Sequence, residues 1–204
     1  LHLSKPDVGF LHVGYSQYRK YFDGTGGFFE PFTVPPFELS DDMHLDIGEA
    51  AIEVGLTLPQ WPRIVLGYEH RFKDGEKSLL EWGSVTEGGV TRKIFPSSKD
   101  IDEDVNIFKA AIDYDIGPVH LGNQFRYEDY RTVTARFDQD RDVDAATSKN
   151  VTVAEQYDHD ALYNTFHAES HLSEKVYWSV GYLFTKLEGD ASFRMFTTPF
   201  SDPF

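Results

Sequence analysis

The sequence predicts an all-β chain, an antiparallel up-and-down meander of about seven or eight long strands. The first observation behind this is strict alternation. In Arg63–Lys73, the residues Ile64, Leu66, Tyr68 and Phe72 share one parity, and Arg63, Glu69, Arg71 and Lys73 share the other. Successive side chains of a strand point to opposite faces, so the segment has one apolar and one charged face. The second observation is length, since the alternating stretches run to roughly twice the usual strand of a soluble sheet. The third is the connections. Leu58-Pro59-Gln60-Trp61-Pro62, Ile116-Gly117-Pro118 and Ser173-Glu174-Lys175 are tight, whereas those after Tyr21, Lys73 and Ala135 are long. Long tilted strands with short turns at one end and long loops at the other are the layout of part of a transmembrane outer-membrane β-barrel.

The strands are expected at Gly9–Tyr21, Leu45–Thr57, Arg63–Lys73, Asp104–Asp115, Val119–Ala135, Tyr157–Leu172 and Val176–Leu187, with an eighth candidate at Ser192–Thr198. Leu45–Thr57 sets Ala50, Ile52, Val54 and Leu56 against Ile47, Glu49 and Glu53, and forms a hairpin with Arg63–Lys73. Pro59 and Pro62 stay in its turn, where a missing backbone donor breaks no ladder. Asp104–Asp115 and Val119–Ala135 turn at Gly117-Pro118. Their apolar rows include Phe108, Ile112, Leu121, Phe125 and Tyr127, with His120, Gln124, Arg126 and Glu128 opposite. In the third hairpin Leu162, Phe166, Val180, Tyr182 and Phe184 look outward, and Tyr163, Thr165, His167, Glu169 and His171 look inward. Trp61 and Trp178 lie in or beside short turns, a position suited to an aromatic girdle at headgroup level. Trp82 falls in a long loop.

A net charge of −15 argues against nucleic-acid binding, which needs a basic footprint. Without cysteine the chain has no disulfide, thiolate metal site or Cys-x-x-Cys-His haem attachment. No apolar run is long enough for a transmembrane helix, and a mean hydropathy of −0.43 is compatible with strands that show lipid only every second residue. Leu1 carries no leader signature and Phe200–Phe204 has no strand pattern, so residues 1–204 read as a single segment cut from a larger barrel.

Nothing in the sequence points to catalysis, to a cofactor or to a metal. His167-x-Glu169-x-His171 places three metal-capable groups on one face. The two imidazoles are ~13 Å apart on a strand, so a metal needs a ligand from elsewhere; the row reads as polar lining. Asp23-Gly24-Thr25-Gly26-Gly27 lacks the Lys-Ser/Thr of a phosphate loop. Asp138-Gln139-Asp140-Arg141-Asp142-Val143-Asp144 has the alternate acids of a calcium loop without its glycine and distal Glu, and reads as solvated loop, like Ser40-Asp41-Asp42 and Asp100–Asp104. Adjacent acids such as Glu128 and Asp129 point to opposite faces and cannot work as a pair.

Three stretches resemble outer-membrane barrels of the MtrB/PioB type: Tyr18–Gly27, Glu53-Val54-Gly55-Leu56-Thr57-Leu58-Pro59 and Tyr182–Ser192. The Cys-x-x-Cys found near the start of some members is absent here. The resemblance implies a large porin that sheathes a multihaem c-type cytochrome and carries electrons across the outer membrane. The residues themselves give the broader expectation, a porin-like conduit in contact with outer-membrane lipid. Glu69, Arg71, Arg126, Glu128, His167 and Glu169 are its candidate lumen-lining groups. The alternatives are a soluble β-sandwich or jelly-roll binding domain, and a barrel enzyme whose catalytic residues lie outside this sequence.

Overall fold

A computed structural model describes residues 1–22, 43–142 and 147–201. They form eight strands: β1 His2–Lys5, β2 Gly9–Tyr21, β3 His44–Leu56, β4 Arg63–Glu87, β5 Val90–Ile116, β6 Val119–Asp142, β7 Thr147–Ser173 and β8 Val176–Ser201. All belong to one antiparallel sheet in sequential order, so the chain is an all-β meander, and β1 and β8 are not paired to close it. The alternative of two sheets packed face to face is not what the described residues form.

The alternating stretches become strands because pairing them places like faces together. Ile52, Tyr68, Phe108, Tyr127 and Leu162 form one continuous rung on the apolar face. Glu53, Gly67, Lys109, Arg126 and Tyr163 form the next rung on the other. Glycines set the turns that need positive φ. Gly88 and Gly89 both take positive φ (60° and 72°) between Glu87 and Val90, the type I′ pattern that matches strand twist. Gly117, at φ 60°, precedes Pro118 in a two-residue turn of type II′.

Three expectations are corrected. The segment after Lys73 is not a long loop: β4 and β5 continue as a hairpin to the Gly88-Gly89 turn, and Trp82 and Asp100–Asp104 lie in strands. After Ala135 the strand continues through Asp142, so Asp138, Asp140 and Asp142 belong to an extended ladder and not to a solvated loop. Ser192–Thr198 is part of β8, which pairs with β7 as far as Ser201; the eighth strand is instead β1. The first two of these segments lack the strict apolar/polar alternation of the other stretches, yet backbone pairing with a neighbour still makes them strands. The glycine-rich stretch 23–27, Ser40-Asp41-Asp42 and Asp144 lie outside the described residues.

A single sheet has no second layer, so its burial pattern reports its curl. Buried strand residues such as Leu45, Ile107, Val153, Ala161 and Glu69 lie on the polar face, with Ala168 and Ser170 as exceptions. Large exposed side chains such as Val54, Leu66, Phe108, Val180 and Tyr182 lie on the apolar face, with Tyr157, Tyr163, Leu183 and Leu187 near the β8 edge as exceptions. A sheet buries side chains on one face alone by curving toward it. The polar face is therefore the concave one.

Candidate functional site

The parity rule puts all six candidate residues on this concave face, and the register decides which of them meet. Glu69 on β4 pairs with Ile107 on β5, which pairs with Glu128 on β6. Their side chains are only 8% and 18% exposed. Lys109 Nζ lies 2.6 Å from Glu69 Oε2, and Arg71 also pairs with Glu69 while reaching Glu49 Oε2 at 3.2 Å. Arg126 Nη2 donates to Glu128 Oε2 at 2.5 Å, and His159 Nε2 stands 3.7 Å from the other oxygen. The buried acids thus lie beneath exposed cations, with Lys109 at 45% and Arg126 at 43% exposure. A carboxylate this covered needs a paired cation and a hydrogen bond, and each has both.

His167 and Glu169 lie toward the short-turn end. The His167 ring covers Gly122, its cross-strand partner, in the space a Cβ would fill. Phe10 covers Gly55 and Phe72 covers Gly48 in the same way, so ring over glycine is a recurring packing device in this sheet. His120 from β6 comes to 5.5 Å of His167, ring to ring, and its Nδ1 sits 2.7 Å from Asp115 Oδ1. Glu169 accepts a 2.6 Å bond from the Tyr177 hydroxyl. Among the described residues no three His, Asp or Glu side chains are placed to hold a metal ion.

Between these two regions lies a groove of about 380 Å³, lined by Glu53, Lys109, Gln124, Arg126, Tyr163 and Thr165 among others. The sequence reading missed Lys109, which links the Glu69 pairs to the Arg126 pair. Its parity was legible; its neighbours depend on the β4–β5 register, which alternation leaves open.

Further along the strands the concave face continues as cross-strand ion pairs, Lys73 with Glu103 and Lys99 with Glu155, each at 2.9 Å. The Lys99 ammonium holds the Glu155 carboxyl below its ordinary value. The convex face at this level is different. Asp74 pairs across strands with Asp102, Glu76 with Asp100, and Asp129 with Asp160 and then Glu188. Asp100 is raised above its ordinary value by desolvation and then by Glu76 and Asp74. The concave charges largely compensate one another, while much of the negative charge sits on the convex side.

No protein-family model, curated protein or solved structure matches this chain.

Proposed function

We propose that this chain is a segment of an outer-membrane β-barrel that acts as a porin-like conduit or sheath, with no catalytic group of its own. The observation that carries the reading is a bare apolar band with a sharp upper edge. On β5 the band runs from Ile116 through Tyr114, Ile112 and Ala110 to Phe108, about 27 Å along the strand. At the usual barrel tilt that is ~20 Å upright, near the ~25 Å of an outer-membrane barrel. The next rung is His70, Asn106, Asp129, Asp160 and Glu188. At this edge the rings of Tyr68, Phe108 and Tyr127 neighbour one another at 5.0 and 6.3 Å. The Tyr68 hydroxyl donates to Asn106 Oδ1 at 2.8 Å and that of Tyr127 to Asp160 Oδ1 at 2.7 Å. Rings in the apolar rung with hydroxyls in the polar one suit the headgroup boundary. Exposed Trp61 and half-buried Trp178 sit at the opposite, short-turn end.

On this reading lipid covers the convex face, and Glu69, Arg71, Arg126, Glu128, His167 and Glu169 line a wet lumen. The unclosed sheet fits a segment whose barrel needs further strands. A lumen rich in ion pairs suits a wide interior better than the packed core of a minimal barrel. The MtrB/PioB resemblance makes a multihaem c-type cytochrome the first lumenal partner to test. The test is single-channel conductance and liposome swelling with the full-length protein, followed by co-purification with such a cytochrome. Open-channel current, or a stoichiometric cytochrome inside a detergent-stable barrel, is expected. A sealed barrel with hydrolytic turnover overturns the conduit, and a protein that never enters membranes overturns the barrel.

A further inference from the structure

We propose that the groove at mid-height of the concave face is an oxyanion site, taking a small phosphate or carboxylate solute on Lys109 and Arg126; this rests on the lumen reading above and names what the lumen prefers. Lys109 and Arg126 are directly opposite each other across β5 and β6. Like charges so placed repel, and in a sheet they are ordinarily avoided. Here each is anchored from one side by a covered carboxylate, Glu69 or Glu128, and keeps nearly half its side chain open to the groove. The Arg126 Nε is buried and has no hydrogen-bond partner.

The hollow between the cations has a structural origin. Gly67, the other cross-strand neighbour of Lys109, carries no side chain, and Ala111 on the next rung is small. Long side chains therefore stand around a shallow floor. Gln124, Tyr163 and Thr165 add an amide and two hydroxyls to the rim, and among the described residues none of these three side chains is hydrogen-bonded elsewhere. An ammonium, a guanidinium and three neutral donors around one hollow match an oxyanion with several acceptor oxygens. Glu53 is the one acid on the rim. It lies beyond Gly67, on the side away from Arg126, and disfavours large polyanions more than a small one.

The probe is inorganic phosphate, read two ways on the full-length protein. In detergent, phosphorus NMR line broadening reports binding whether or not a channel conducts. In planar bilayers, phosphate reduces chloride current and the reversal potential favours anions. The double variant Lys109→Gln/Arg126→Gln is expected to weaken phosphate binding roughly ten- to a hundredfold. Because those changes also strip partners from Glu69 and Glu128, Tyr163→Phe serves as the variant that disturbs no internal bond, with a roughly three- to tenfold loss. Arg126→Lys keeps the charge and retains most of the binding. Phosphate broadening that is absent in the wild type, or equal in wild type, double variant and Tyr163→Phe, overturns the site. A protein that binds phosphate at these residues yet passes no current overturns the conduit and leaves the site standing.

Discussion

A single residue in this sheet has its meaning set by parity, and Leu66 and Gly67 show it. Leu66 is well exposed on the convex face, while Gly67 lies on the concave face, where an added Cβ would make only ordinary contact with Lys109. Leu66→Arg or Val180→Arg is expected to cost ~2–4 kcal/mol in a membrane. Gly67→Arg or Ser179→Arg should cost much less, because water solvates that face and Glu53 or Glu169 is the cross-strand neighbour. Unfolding from lipid vesicles measures each pair. Equal costs on both faces would contradict the lipid-facing assignment. A second residue-scale test concerns Ser97, which is fully buried and donates to Asp138 Oδ1 at 2.5 Å and Phe137 O at 3.1 Å. Asp138 also takes Arg136 Nε at 2.9 Å. Removing the hydroxyl in Ser97→Ala leaves a covered carboxylate short of one donor, at ~1–3 kcal/mol. Denaturant titration in detergent reads it, and an unchanged midpoint would mean that the bond contributes nothing.

Among the elements, β4 to β7 divide into a part beside the apolar band and a part beyond it, and the outer part responds to pH in two opposite ways. Asp100 has a raised carboxyl, so its folded form prefers the proton. Its contribution is full below the ordinary carboxylate range, ~3.9, and is lost as pH rises from there through the raised value. Glu155 has a lowered carboxyl, so its contribution is present above ~4.3 and is lost as pH falls through the lowered value. Asp100→Asn is therefore expected to raise the melting midpoint at neutral pH and to change nothing near pH 3. Glu155→Gln is expected to lower it at neutral pH, with the difference vanishing in acid. Melting curves of the detergent-solubilised protein across that range test both signs. The β4–β5 hairpin also shows why Ser97 matters to an element. β5 pairs with β6 only from Ser98 onward, and past that point β4 pairs with β6 directly, at Val85 with Arg141 and Thr86 with Asp142. Ser97 and Asp138 sit where the strand leaves its neighbour.

At the scale of the whole molecule the sheet has two open edges and an unclothed apolar face. β8 offers the backbone groups of a 26-residue strand to any partner, and Tyr182, Leu183, Leu187, Phe193 and Phe196 are exposed along it. Unpaired long edges and wide apolar surfaces drive association in water. The isolated 204-residue chain is expected to aggregate in detergent-free buffer and to disperse in detergent. Sedimentation with and without detergent decides this, and a monodisperse, cooperatively melting monomer in plain buffer would overturn the barrel reading.

The sequence by itself determined the parity of each alternating stretch, the three short turns and the face of every candidate residue. The boundaries of β2, Gly9–Tyr21, were legible in full, and the starts of β4, β6 and β8 as well. These are local properties: side-chain direction has a period of two, and Gly and Pro restrict the backbone where they stand. The structure decided how far the strands run, because Asp74–Glu103 lacks the strict apolar/polar alternation of the other stretches. It also decided the register, and with it which charges face one another across strands: Lys109 with Glu69, Lys99 with Glu155, Asp100 with Glu76. Register depends on backbone hydrogen bonds between segments far apart in sequence, and a two-residue slip keeps every side chain on its face while changing every neighbour. The faces could therefore be read from the chain, but the pairs could not.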